Sequence, residues 1–247
     1  VLTGLGIVHK FTSNAFAKGG LMTGNSREDE TRMRLLDAAG EIFSSKGYQA
    51  ATVREITKLA KANLAAIHYH FGSKDRLYQA VLEHAHREAG RRFPPDLGLL
   101  PGADAKARLF AYVRALLLRL EDKSRHAWLS RLMAREMAEP SPNLTLVVER
   151  CLAPANVVLR GIVAELLGPA ADPLAVARHA QSVVGQCRHF VLDRPVLSRL
   201  YPDCDPGQGG VDAVALHVVR FSLAALGCAD GRDYEPPNLA SASGDAS

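Results

Sequence analysis

Apolar residues recur at intervals of three and four through most of the chain after residue 50, and no stretch of any length alternates apolar with polar. A period near 3.6 turns one face of a helix toward a core, whereas a half-buried strand needs a period of two, so the pattern predicts an all-α protein. Thr52 followed three residues later by Glu55 has the spacing of a capping box, and Val53, Ile56 and Ala60 give the helix that starts there one apolar face, with Leu59 beside it. Lys61-Ala62-Asn63 makes a short break, and Asn63 is a good N-cap for a second helix, Leu64 to Phe71, whose large apolar residues are Leu64, Ile67 and Phe71. Gly72-Ser73-Lys74 ends that helix and starts another, about Lys74 to Gly90, with Ser73 as its cap.

Residues 92–98, RFPPDLG, and Pro101-Gly102 break the pattern, which puts a domain boundary between 27–92 and 103–228. Helical periodicity then returns: Leu109, Val113, Leu116 and Leu120 line one helix, and Trp128, Leu132 and Met133 the next. Val147, Leu152, Val158, Ile162 and Leu166 lie in a longer stretch interrupted at Pro154; Val176, Ala180, Val183, Cys187 and Phe190 line another helix, and Val211, Ala215, Val218, Ser222 and Leu226 the last. Short Pro- and Gly-containing connections between them are those of a helical bundle.

The stretch Thr52 to Tyr78 thus holds two helix starts, a tight turn and a polar short helix, the order a DNA-reading helix-turn-helix requires. Ala65, Ala66, His68, Tyr69 and His70 offer small groups that permit close approach and hydrogen-bonding groups that can meet bases or phosphates in a major groove. Ala65, Ala66 and His68 are expected to approach bases, with Thr52, Tyr69, His70 and Lys74 on the backbone. Lys74, with free amides at a positive helix end, suits a phosphate. One short helix makes too few base contacts for useful specificity, so a homodimer on a near-palindromic double-stranded operator is expected.

Charge distribution supports the assignment. The net charge of +4 is modest, but residues 27–93 hold 12 Lys/Arg against 9 Asp/Glu, while residues 94–247 hold 16 against 17. With 47% hydrophobic residues over 247 positions, the chain can bury a substantial core in one large or two smaller domains. Four widely separated cysteines form no CxxC pair, and no His/Cys grouping has metal-ligand spacing, so neither a disulfide framework nor a metal site is expected. No apolar run reaches a membrane span, no nucleotide-binding or hydrolase motif appears, and a cytoplasmic, cofactor-free non-enzyme is expected.

These residues resemble the TetR family of bacterial one-component repressors. Leu35, Ala38, Ala39, Ile42, Phe43, Gly47 and Tyr48 are similar to the family's first helix and its exit, and Tyr69-His70-Phe71-Gly72-Ser73-Lys74 to its recognition-helix end with the phosphate-binding lysine. Lys61 and Ala62 replace the family's usual turn glycine and valine. The wording NLAAIHYHFGSKDRLY, with RLMAREM at 131–137 and EPSP at 139–142, resembles the CecR-like subgroup. The resemblance implies an N-terminal three-helix DNA-binding domain followed by a C-terminal helical domain that dimerises and binds a small-molecule effector.

Small and apolar residues cover much of the last two long helices, including Ala180, Ser182, Gly185, Ala213, Ala215, Ala224 and Ala225; they are either internal core helices or pack between two subunits, and the resemblance implies the second. For the effector, Tyr112, Trp128, Leu132 and Phe190 beside Glu136 and Gln186 supply the apolar walls and few polar groups a pocket needs. Glu136 follows Trp128 and Leu132 at intervals of four on an otherwise apolar face, where it is either a pocket acid or the partner of Arg131, Arg135 or a neighbouring helix. Trp128 and Tyr112 are equally consistent with core. Residues 1–26, rich in Gly, Ser and Thr without a sustained period, are expected to be a disordered or mis-assigned extension with Met22 as a more natural start, or else a DNA-contacting arm; residues 229–247 are expected to be a disordered tail.

Overall fold

The computed structural model describes residues 26–122, 128–228, 231, 233–237 and 239. Most of the expected extension and tail therefore lies outside the described residues. Among the described residues all regular structure is helical: α1 (Ser26–Ala50), α2 (Val53–Leu59), α3 (Leu64–Phe71), α4 (Lys74–Arg92), α5 (Ala105–Leu120), α6 (Trp128–Ala138), α7 (Leu144–Val147), a π-helical turn (Val148–Leu152), α8 (Ala153–Leu167), α9 (Pro173–Leu192), α10 (Arg194–Leu200) and α11 (Gly210–Ala225).

Local chemistry fixes the helix starts. Thr52 makes the full capping box with Glu55, Asn63 accepts from the amide of Ala66 at 2.8 Å, and Ser73 accepts from that of Arg76 at 3.2 Å. Each satisfies an amide that the first turn leaves without a partner. Pro154, which interrupts the apolar pattern, stands in the first turn of α8, where its missing N–H costs nothing. Two features were not apparent from periodicity: the π-helical turn, and α10, whose seven residues are too few to show a period.

Side chains bury into two cores. The first joins α1, α2, α3 and α4 through Leu35, Phe43, Ile56, Ile67, Tyr78 and Val81, and it also takes in Trp128 and Leu132 of α6 with Val147 and Cys151. The second joins α5, α8, α9 and α11 through Leu109, Val113, Leu159, Val183, Val218 and Leu223. Hence α6, which follows the Pro/Gly break in sequence, packs its apolar face onto the DNA-binding helices. Gly40 makes this possible: a Cβ there would lie 2.4 Å from the Trp128 indole, so the bare backbone of α1 receives the ring. Burying that indole contributes about 5 kcal/mol at about 25 cal/mol per Å² over roughly 200 Å². Within the segment expected to be a disordered tail, Tyr234 and Leu239 pack against the second core, and the Tyr234 carbonyl accepts from Arg220 Nε at 3.0 Å.

Candidate nucleic-acid interface and the buried sites behind it

The turn between α2 and α3 is tight because Lys61 takes a left-handed conformation, φ 52°. In α3 Ile67 and Phe71 are buried in the core and Ala66 packs half-buried against it, whereas Leu64, one of the helix's three large apolar residues, is 47% exposed. Two anchors suffice to hold a helix of eight residues, and they leave its other face open. Ala65, His68 and Tyr69 are exposed, with Ala66 and His70 half-buried. His68 Nδ1 lies 3.0 Å from the Gly72 carbonyl, which steadies the ring at the helix end. Tyr69 is 73% exposed, and the Glu28 carboxylate on its hydroxyl raises its pKa.

Lys74 opens α4 on the same side. Its ammonium donates to the Gln49 carbonyl at 3.3 Å and lies 4.6 Å from the Tyr48 ring centre. The Tyr48 hydroxyl in turn hydrogen-bonds Asp75, and burial followed by that carboxylate pushes its pKa up to about 12. A carbonyl and a ring face orient the lysine without neutralising it, so its charge stays available to an anion. The Thr52 hydroxyl is engaged with Glu55, which Lys46 also pairs; these hydrogen bonds hold the Glu55 carboxyl at about 2, Lys46 contributing most. Thr52 therefore presents its backbone and methyl rather than a free hydroxyl. Arg32, whose guanidinium lies 5.5 Å from the Phe71 ring centre, is a flanking cation that sequence spacing did not single out.

The six residues expected around one effector pocket separate into two groups. Trp128, Leu132 and Glu136 belong to the first core, where α1 and α4 consume the face they share. Glu136 is 3% exposed and has three donors: the Tyr78 hydroxyl at 2.7 Å, the Ser141 amide at 3.0 Å and the Ser141 hydroxyl at 2.8 Å. Its partners are thus a tyrosine of α4 and the turn after α6. Arg131 instead pairs with Glu41 at 3.1 Å, and Arg135 bonds Glu139 at 3.1 Å and the Ser45 carbonyl at 3.2 Å, stapling α6 to α1. A cleft of about 270 Å³, bordered by Lys46, Tyr48, Tyr78, Arg135 and Glu136, lies at this junction. Burial, then the Glu136 hydrogen bond, raises the Tyr78 pKa far above its ordinary value.

Tyr112, Gln186 and Phe190 lie in or against the second core. Tyr112 is buried and donates to the Ala155 carbonyl at 3.2 Å; burial pushes its pKa up to about 12. Phe190 is half-buried and meets His217 edge-on at 5.6 Å, and Gln186 Nε2 donates to the Ser182 carbonyl of its own helix at 3.4 Å. Among the described residues no three His, Cys, Asp or Glu side chains come together as a metal site, and no helix is long and apolar enough to cross a membrane.

Two family models match the chain, each on one part of this architecture. The model of bacterial regulatory proteins of the tetR family matches residues 35–81, and that of the C-terminal domain of the HTH-type transcriptional dual regulator CecR matches residues 105–226. The chain belongs to the TetR family. It is a transcriptional regulator, similar to the dual regulator CecR of Shigella flexneri at 29% identity over 68% of this chain and 79% of that protein. Among solved TetR-like folds, a transcriptional regulator of Pseudomonas aeruginosa PAO1 superposes with a TM-score of 0.61 at 19% identity, covering 84% of this chain and 95% of that one. The regulator FadR of Bacillus subtilis in complex with stearoyl-CoA superposes with a TM-score of 0.56 at 20% identity, over 78% and 95% of the two chains. These neighbours share the fold: a helix-turn-helix domain followed by a helical domain.

Proposed function

We propose that this TetR-family regulator is a homodimeric repressor that binds a palindromic double-stranded operator in the cytoplasm and is released by a small-molecule effector. The supporting observation is α3 itself: Ile67 and Phe71 anchor it, Ala65 and His68 are exposed with Ala66 half-buried beside them for base edges, and Tyr69, His70, Lys74 and the Thr52 backbone flank them for phosphates. Dimerisation through α9 and α11 is supported by exposed apolar side chains on those helices, Leu174 at 54% and Phe221 at 60%, and by a groove of about 700 Å³ along α11 bordered by Ala213, Leu216, His217 and Phe221. An effector site in residues 103–228 fits the relative bound to stearoyl-CoA, whose ligand is a small molecule. The test is fluorescence anisotropy of the full chain on duplexes from its own promoter. Lys74→Ala should weaken binding to all duplexes alike and lower the salt slope by about 0.9 per protomer, whereas Ala66→Ser should change sequence preference. Equal loss of selectivity from both would overturn the assignment.

A further inference from the structure

Lys74 and Asp75 are the first two residues of α4, a cation and an acid side by side at the end assigned above to the operator. The acid suits the helix, because a negative charge in the first turn meets the positive end of the dipole. It is a liability to the lysine, since a carboxylate that reached the ammonium would cancel the charge a phosphate needs. Among the described residues Lys74 nevertheless pairs with no carboxylate. Its ammonium donates to the Gln49 carbonyl at 3.3 Å and stands 4.6 Å from the centre of the Tyr48 ring.

One tyrosine holds both charges. The face of the Tyr48 ring takes the ammonium, and its hydroxyl donates to the Asp75 carboxylate. Burial, then the Asp75 hydrogen bond, pushes the Tyr48 pKa up to about 12, so at neutral pH the hydroxyl is protonated and able to donate. Consecutive residues of a helix do not face one another, but a lysine stem is long and rotatable, so the two charges stay apart only while each is held. The ring is itself fixed from behind, meeting Tyr78 edge-on at 5.1 Å and stacking on Phe43 at 6.2 Å, both of them fully buried. The chain reaches Tyr48 through Gly47, where α1 kinks at a φ of 77°. That left-handed conformation favours glycine, so the bend that delivers Tyr48 and Gln49 to the start of α4 is set by the backbone as well as by packing.

We propose that Tyr48 is a positioning residue for operator binding: by bonding Asp75 through its hydroxyl and holding Lys74 on its ring, it keeps the two charges apart and the ammonium available to a phosphate. This rests on the reading of Lys74 as a phosphate contact and adds the residue that keeps that contact charged. With Tyr48 in place the acid stabilises the helix while the lysine serves the phosphate. Without the hydroxyl the Asp75 carboxylate is released to pair with the ammonium one residue away, and binding falls although Lys74 itself is intact.

The experiment measures the affinity of the full chain for a labelled duplex from its own promoter, by anisotropy at salt concentrations from about 50 to 200 mM. Lys74→Ala sets the scale: loss of one phosphate contact lowers the salt slope by about 0.9 per protomer, so this fourfold rise in salt should weaken the parent about 3.5-fold more per protomer than the variant. Tyr48→Phe, which keeps the ring, should give at least about half of that drop in slope. Asp75→Asn should restore it. Its gain in affinity should be at least about threefold larger in the Tyr48→Phe background than in the parent, whereas a tyrosine that only packs would give equal gains in both. Melting temperatures establish that the variants are folded. If Tyr48→Phe is not, Asp75→Asn combined with Lys74→Ala decides: while Tyr48 holds the two charges apart, Asp75→Asn should change affinity by the same factor, within about twofold, with Lys74 present or absent. A clearly larger gain with Lys74 present, a parental slope in Tyr48→Phe, or equal gains from Asp75→Asn in both tyrosine backgrounds would overturn the proposal while leaving Lys74 as a phosphate contact. A parental slope in Lys74→Ala would overturn both.

Discussion

Replacing Tyr78 by Phe removes one hydroxyl and should destabilise the chain by about 2 kcal/mol, far more than its size suggests. The hydroxyl is one of three donors to a carboxylate that is 3% exposed. A hydrogen bond to a charged group contributes about 1.5–3 kcal/mol, and water cannot replace the donor at so buried a site. For a protein of this size about 2–4 °C is lost per kcal/mol, so the melting temperature should fall by about 4–8 °C. Urea unfolding should be followed both by far-ultraviolet circular dichroism and by fluorescence of Trp128, the sole tryptophan, which is fully buried in the same core. Glu136→Gln keeps an oxygen for the Ser141 donors, so its loss should be smaller, about 1 kcal/mol. In the double variant the two losses should fail to add by about 1 kcal/mol, the signature of groups in direct contact. A Tyr78→Phe protein within about 0.5 kcal/mol of the parent, or strictly additive losses, would refute the view that this hydrogen bond ties α4 to α6.

Gly40→Ala should cost about 3 kcal/mol in urea unfolding, because its Cβ would stand 2.4 Å from a fully buried indole that cannot retreat; a blue-shifted Trp128 emission with unchanged stability would contradict this. Lys61→Gly should raise stability by about 0.5 kcal/mol, since relief of the left-handed conformation outweighs the extra freedom of glycine in the unfolded chain; a lower urea midpoint would show the turn to be unstrained. Tyr78, Tyr112 and Tyr234 have folded pKa values raised above 10 by burial, the last two to about 12, so their contribution is complete below pH 10 and is lost as pH rises toward those values. Stability should therefore fall by about 1.4 kcal/mol per pH unit for each of the buried Tyr78 and Tyr112 between pH 10 and 12, with a smaller, solvent-screened contribution from the half-buried Tyr234, and Tyr112→Phe should make the fall shallower.

What was legible in the sequence was local. The caps at Thr52, Asn63 and Ser73 depend on side chains reaching amides three residues away, so spacing alone reveals them. The exposed face of α3 was legible for the same reason, as the residue types left after its apolar anchors are assigned. Glu136 was recognised as a carboxylate on an apolar face, but its partner Tyr78 stands 58 positions earlier, and no periodicity relates them. The one-pocket grouping failed to come together because each helix showed an apolar face without showing which helix covers it. Trp128 and Leu132 meet α1, while Tyr112 and Phe190 meet α8, α9 and α11. The signal available was Gly40, a glycine inside a helix where alanine is favoured, which marks a close approach by something large.

The 19 residues of α4 span about 28 Å, and the helix is held at its start, one turn on and at its close by different parts of the chain. Lys74 at its start is held by the carbonyl of Gln49, Tyr78 one turn later bonds the carboxylate of α6, and Phe93 at its close is capped by α5. A helix is stiff along its axis, so a change in its cap at Phe93 is not absorbed before it reaches Lys74 unless the hydrogen bond at Tyr78 yields. If the effector acts through this helix, that bond sets how strongly the two ends are coupled. If an effector lowers operator affinity by about 5- to 150-fold, operator must lower effector affinity by the same factor, because coupling free energy is reciprocal. Tyr78→Phe should lower this common factor while leaving the effector's affinity for DNA-free protein nearly constant. A Tyr78→Phe protein whose coupling factor matches the parent's, measured by titrating effector with and without saturating operator, would mean that the two sites communicate by a route other than α4.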